Sequence, residues 1–185
     1  MDIITILLIA IGLSFDTFAV SVSTGLIIKH IKFWQAIKVA FVLGFLQAVM
    51  PLFGWFAGNQ ISSLIGNFDH WIAFILLAIL GIKMIIESFK PDEQKNNFNP
   101  LKFTVLIGMG IATSIDALVV GISFAFLQTN IWLAITIIGG VTFLVAMLGM
   151  LFGKNVGSRF GKRIEILGGI ILIIIGLKIL LSHII

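Results

Sequence analysis

Two aspartates stand in the middle of long apolar runs, Asp16 in Ser14-Phe15-Asp16-Thr17 and Asp116 in Ser114-Ile115-Asp116-Ala117. Where such runs cross a bilayer, a carboxylate costs at least about 2.5–3.5 kcal/mol on insertion scales, so its retention points to a task such as holding an ion. At about 100° per residue, Asp16 shares a helix face with Thr5, Gly12, Ala19 and Ser23. Asp116 shares one with Met109, Ala112, Val119 and Ser123. Ser14, Thr17, Thr113 and Ser114 lie farther round; they reach a bound ion if the helix loosens at the Ser-x-Asp step and otherwise bond back to their own backbone. Gln47 and Thr142, which match at a shift of 95 residues, are polar positions inside two further apolar runs rich in glycine. Pro51 removes the helical donor for the Gln47 carbonyl and should kink its helix there. Acids, amides and hydroxyls together make a hard oxygen site, suited to Mg²⁺, Ca²⁺ or Mn²⁺. The candidate ion-site residues are therefore Asp16, Asp116, Gln47, Ser14, Ser114, Thr113, Ser23, Ser123 and Thr142. The chain has no cysteine, which excludes thiolate ligands and thiol catalysis, and His30, His70 and His183 fall at or near the ends of apolar runs.

The elements that carry these residues are set by composition. Of 185 residues, 59% are hydrophobic, a further 19 are glycine, and only 11% are charged. Soluble domains carry about 25% charged residues, and a globule of this size could not hide so much apolar surface. The same numbers exclude a disordered chain. A net charge of +4 interleaved with apolar runs marks the cytoplasmic face of a membrane protein rather than a nucleic-acid binder.

Six runs approach or exceed the roughly 20 residues a helix needs to span a bilayer: Ile3–Ile28, Phe33–Gly58, Trp71–Phe89, Leu101–Gln128, Ile131–Gly153 and Ile164–Ser182. They are too continuous for barrel strands. The first lacks a basic leader and is too long for a cleaved signal. Lysine and arginine fall after spans 1, 3 and 5, at Lys29, Lys32, Lys90, Lys95, Lys102, Lys154, Arg159, Lys162 and Arg163. The other loops and both termini have none, so the basic loops are expected to be cytoplasmic and both termini external.

The chain also repeats itself. A shift of 100 residues lays Ile11, Ser14, Asp16, Val20 and Ser23 on Ile111, Ser114, Asp116, Val120 and Ser123. A shift of 95 lays Gly44, Gly54 and Gly58 on Gly139, Gly149 and Gly153, and Gly81-Ile82-Lys83 on Gly176-Leu177-Lys178. Three spans per half is an odd number, so the second half must be inverted, as the loop charges also require. The expected fold is an all-α polytopic membrane protein of six transmembrane helices in two inverted three-helix repeats. It forms a single transmembrane domain over 1–185, with repeat one at 1–89, a cytoplasmic loop at 90–100 and repeat two at 101–185. Such repeats recur in secondary transporters, whose sites lie near the midplane between the halves.

Other charged residues carry less. Lys83 and Glu87 are spaced i,i+4 and suited to pair. Lys83 and Lys178 also suit snorkelling to the interface, and Glu165 suits a helix start. Gly157-Ser158-Arg159-Phe160-Gly161-Lys162 has the wrong spacing for a phosphate-binding loop. Energy would then come from an ion gradient or the membrane potential. No nucleophile–base pairing or cofactor motif is present, so neither an enzyme nor a bound cofactor is expected.

These residues resemble the manganese efflux pump (MntP) family of the lysine-exporter superfamily. The motifs are Ser14-Phe15-Asp16-Thr17-Phe18-Ala19-Val20-Ser21, Gly44-Phe45-Leu46-Gln47 with Met50-Pro51-Leu52-Phe53-Gly54-Trp55, His70-Trp71-Ile72-Ala73-Phe74, Ala112-Thr113-Ser114-Ile115-Asp116-Ala117 and Glu165-Ile166-Leu167-Gly168-Gly169. They occur in order across nearly the whole chain. The resemblance implies six spans in the bacterial plasma membrane, export of Mn²⁺ from the cytoplasm, and Asp16 and Asp116 as the essential cation-site residues. Some relatives carry glutamate where this chain has Gln47. Proton exchange is the natural coupling, since paired carboxylates can trade protons for a divalent ion. Rival readings are export of another divalent cation or a basic amino acid, and a non-transporting membrane subunit whose aspartates join helices.

Overall fold

The computed structural model describes residues 1–28, 31–65, 69–89, 100–152 and 158–184. Regular structure among them is entirely helical: α1 (Ile3–Ile27), α2 (Phe33–Ile65), α3 (Asp69–Ser88), α4 (Phe103–Phe126), α5 (Ile131–Phe152) and α6 (Ser158–Ile184). The basic loop residues Lys29, Lys90, Lys95 and Lys154 lie outside the described residues, as do the side chains of Glu87 and Glu165.

Helix is the form that satisfies every backbone polar group within an apolar segment. Local caps set some of the boundaries. Gln35 Oε1 accepts the Lys32 backbone N–H at 2.9 Å at the start of α2, and Asn130 Oδ1 accepts that of Leu133 at 3.3 Å at the start of α5. Between α4 and α5 the chain reverses through Gln128, whose φ of 48° lies in the left-handed region. Two elements outrun their apolar segments. α2 continues past Gly58 to Ile65, and α6 begins at Ser158, six residues before the apolar run. Neither Asn59-Gln60-Ile61-Ser62-Ser63 nor Arg159-Phe160-Gly161-Lys162-Arg163 contains a proline to stop a helix. Pro51 itself sits inside a continuous α2.

The surface identifies the solvent. Trp34, Phe41, Phe45, Phe53, Phe56, Ile79, Trp132, Leu144 and Ile174 are all exposed, an outer apolar surface far beyond what a water-soluble monomer shows. Among the described residues, Ile3–Gly25, Phe33–Gln60, Phe103–Phe126 and Ile131–Phe152 are long and apolar enough to cross a membrane, and α3 and α6 contribute shorter apolar segments, Trp71–Lys83 and Gly169–Leu181. Trp34, Trp71 and Trp132 are exposed near helix starts, as an interfacial belt requires. Trp55 instead lies ten residues before the end of α2 and packs against the core.

α1 packs on α5 and α6, α4 packs on α2 and α3, α2 crosses α5, α3 crosses α6, and α1 meets α4 along a narrow seam. One buried cluster gathers Ile6, Ile9, Leu13, Leu77, Phe124, Ile138 and Leu172; a second gathers Val39, Leu43, Leu106, Ala146 and Met150. Lipid tails are as apolar as these side chains, so close backbone approach has to hold the helices together. A β-carbon at Gly54 would run into the Leu118 carbonyl oxygen, and one at Gly149 would meet the Phe18 carbonyl oxygen at 3.1 Å. Where α2 crosses α5, a β-carbon at Gly44 would lie 3.0 Å from the Gly139 carbonyl oxygen.

Gly54→Ala should therefore push α2 off α4 and cost about 1–3 kcal/mol, as overpacking does. Gly140 has open space around it, so Gly140→Ala should leave thermal unfolding in detergent at the wild-type temperature while Gly54→Ala lowers it.

Candidate functional site

The polar centre is built where α1, α2 and α4 meet. Gln47 of α2 is fully buried. Its Nε2 donates to the Leu13 carbonyl oxygen of α1 at 3.4 Å, and its Oε1 accepts from Ser114 Oγ of α4 at 3.0 Å. One amide thus ties three helices together at the level of the two Ser-x-Asp steps. The donor and acceptor ends of an amide suit this bridge, which a carboxylate could not make in the same way.

The remaining hydroxyls divide into two groups. Ser14 Oγ donates to the Ile11 carbonyl oxygen at 2.7 Å, Ser123 Oγ to that of Val119 at 3.3 Å, and Thr113 Oγ1 to those of Met109 at 3.0 Å and Gly110 at 3.2 Å. These bonds return to their own helix, where the hydroxyl hydrogen is occupied and the oxygen lone pairs remain available. Thr17 Oγ1, Ser21 Oγ and Thr142 Oγ1 are buried with no hydrogen-bond partner among the described residues. Thr129 Oγ1, just after α4, is in the same state, and an unmade buried hydroxyl bond costs about 1–3 kcal/mol. Ser23 is exposed, unlike its repeat counterpart Ser123, which is buried.

The charges are placed unequally. Asp116 is 3% exposed and Asp16 half-buried. Lys83 Nζ of α3 lies 2.7 Å from Asp116 Oδ1, a short charge-assisted contact. Lys178, at the matching place in α6, donates to Thr5 Oγ1 of α1 at 3.5 Å. Lys83 is the residue that spacing within one helix does not find: the i,i+4 rule points to Glu87, whose side chain lies outside the described residues, and the fold brings Lys83 to an acid on another helix. The available signal was its match with Lys178 at the 95-residue shift. Among the described residues no three His, Cys, Asp or Glu side chains gather where they could hold a metal.

An apolar exterior around a buried charged and hydrogen-bonded centre defines a multi-pass helical membrane protein. The family model described as "Putative manganese efflux pump" matches residues 30–180, and the chain belongs to that family. Among its relatives is a protein of Rippkaea orientalis, 49% identical over 100% of this chain and 99% of its own. Others come from Crocosphaera subtropica, at 46% identity over 100% and 98%, and Phocaeicola vulgatus, at 49% over 99% and 98%. Each of the three bears the name "Putative manganese efflux pump MntP". No solved structure matches the chain.

Gln47→Leu should cost about 1–3 kcal/mol by stranding the Ser114 hydroxyl and the Leu13 carbonyl. Thr142→Val removes a hydroxyl that has no partner to lose and should leave stability unchanged or raised. Thermal unfolding of the two variants in detergent checks the contrast.

Proposed function

We propose that this protein exports Mn²⁺ from the bacterial cytoplasm by secondary transport, with Asp16 and Asp116 as the charged ligands. The observation that carries the reading is the buried Asp116, two residues along α4 from the Ser114 that bridges to Gln47, in a chain whose relatives bear the name of a manganese pump. Gln47, Ser14, Ser114, Thr113, Ser123, Ser23 and Thr142 complete an oxygen shell, of which different members serve as the site opens to either side. Oxygen donors suit Mn²⁺, and two carboxylates offset its two charges. The buried unpartnered hydroxyls of Thr17, Ser21 and Thr142 support a site that is satisfied only when an ion is present.

The reading includes six spans in two inverted repeats, 1–89 and 101–185, joined by a cytoplasmic loop at 90–100, with both termini external. Support comes from matched packing. Gly54 approaches Leu118 as Gly149 approaches Phe18, at the shifts of 95 and 100 that align the sequence. Gly44 and Gly139, themselves a matched pair, meet where α2 crosses α5. Exchange of the two halves' conformations would open one midplane site alternately to each side.

Proton coupling follows from the ligand chemistry. Mn²⁺ and protons compete for the same carboxylate oxygens, so metal entry releases protons and protonation on the far side helps expel the metal. In proteoliposomes at clamped membrane potential, an inward proton gradient should accelerate Mn²⁺ movement in the export direction. Equal uphill movement without the gradient would contradict proton exchange and leave the potential as the driving force.

Asp16→Asn and Asp116→Asn should each lower Mn²⁺ transport about tenfold or more, the effect of losing 1.4 kcal/mol of binding, while the folded protein is still recovered. A merely helix-joining role would lower the yield of folded protein instead and leave transport per recovered molecule intact. A panel of Mn²⁺, Fe²⁺, Cd²⁺, lysine and arginine in the same assay separates manganese export from the rival cargoes.

A further inference from the structure

We propose that Lys83 is a built-in cation for the transport site: its ammonium occupies Asp116 when no divalent ion is bound and leaves when one binds. The inference rests on the reading of Asp116 as a cation ligand and adds a residue and a step to it.

Four observations lead there. Asp116 is 3% exposed within an apolar helix, where an uncompensated carboxylate is strongly unfavourable. Lys83 Nζ supplies the compensating charge at 2.7 Å, and it comes from a different helix. The two partners differ in burial, with the Lys83 side chain 42% exposed and that of Asp116 4%. The acid is fixed in the packing, whereas the lysine reaches it from a more open side on a flexible four-carbon stem. Finally, Lys178 at the matched position donates to Thr5, about three turns of α1 from Asp16. Engagement of a motif aspartate by Lys83 is thus not a feature that both matched lysines share with one geometry.

An ammonium and a divalent cation are both drawn to the same carboxylate oxygen, and they repel each other at contact distance. A divalent ion that coordinates Asp116 must therefore move Lys83 aside. Lysine suits this exchange better than arginine would, being a point charge on a rotatable stem rather than a planar bidentate fork. The empty carrier then never presents a bare Asp116 carboxylate during its return, which leaves the exchanged proton to Asp16, and the competing ammonium keeps metal affinity low enough for release.

The test uses the purified full-length chain in detergent and Mn²⁺ alone as probe, with free Mn²⁺ followed by its aqueous paramagnetic resonance signal. Lys83→Gln should bind Mn²⁺ about tenfold more tightly than wild type, because the internal competitor is gone. Lys83→Arg, which keeps the charge, should stay close to wild type. Asp116→Asn should lose binding. If Asp116→Asn loses binding while Lys83→Gln binds no more tightly than wild type, the Lys83 inference is overturned and the metal site stands. If Asp116→Asn binds Mn²⁺ as wild type does, the metal-site reading itself falls. Should Lys83→Gln not fold, acylation of Lys83 in the wild-type protein decides the matter by mass spectrometry. Displacement predicts that Mn²⁺ increases labelling of Lys83 severalfold, and unchanged or reduced labelling overturns the inference.

Discussion

A carboxylate buried in an apolar bundle has to be answered by positive charge, and most of the site's arrangement follows from that constraint at Asp116. The residue is almost wholly enclosed, and the ammonium that meets it comes from α3, against which α4 packs. Removing one partner of such a pair is usually far more costly than replacing both, so the pair constrains how α3 can sit on α4. It also makes the centre sensitive to any other cation that reaches it. A structural tie and the proposed transport ligand are therefore two uses of one electrostatic requirement.

The small residues serve the same end by a different route. Gly54 and Gly149 let α2 and α5 approach the backbones of α4 and α1, and the first of these approaches holds α2 where Gln47 reaches Ser114. A side chain at Gly54 would widen the gap between α2 and α4 and draw the amide away from Ser114. Packing against lipid supplies no hydrophobic drive to close it. The glycine pattern and the polar centre are thus parts of one design, in which backbone contact sets the distances at which the Gln47 bridge can form.

Much of this could be read from the chain, and the exceptions have physical reasons. Apolar run length located six helices, with α1 and α5 ending within a residue of their runs. It failed at the ends of α2 and α6, because hydropathy reports where lipid stops and not where the backbone stops being helical. The internal match of Asp16 with Asp116, and of Gln47 with Thr142, singled out positions that are mostly buried. It did not foresee that Ser23 and Ser123 would differ in exposure, since matched sequence in two halves does not impose matched surroundings. The Lys83–Asp116 pair was illegible for a related reason. Residues 33 apart meet only through the register of two helices, and spacing rules within a single helix carry no information about that register.

The central claim is that one cation lies in the interior between the two motif aspartates. Anomalous X-ray diffraction from crystals grown with Mn²⁺, collected at the manganese edge, tests it most directly. The account predicts a single strong peak within coordination distance of both the Asp16 and Asp116 carboxylates, with neutral oxygens completing its shell and the Lys83 ammonium withdrawn from Asp116. A peak confined to the loops or the membrane interface, with Lys83 still on Asp116, would contradict it.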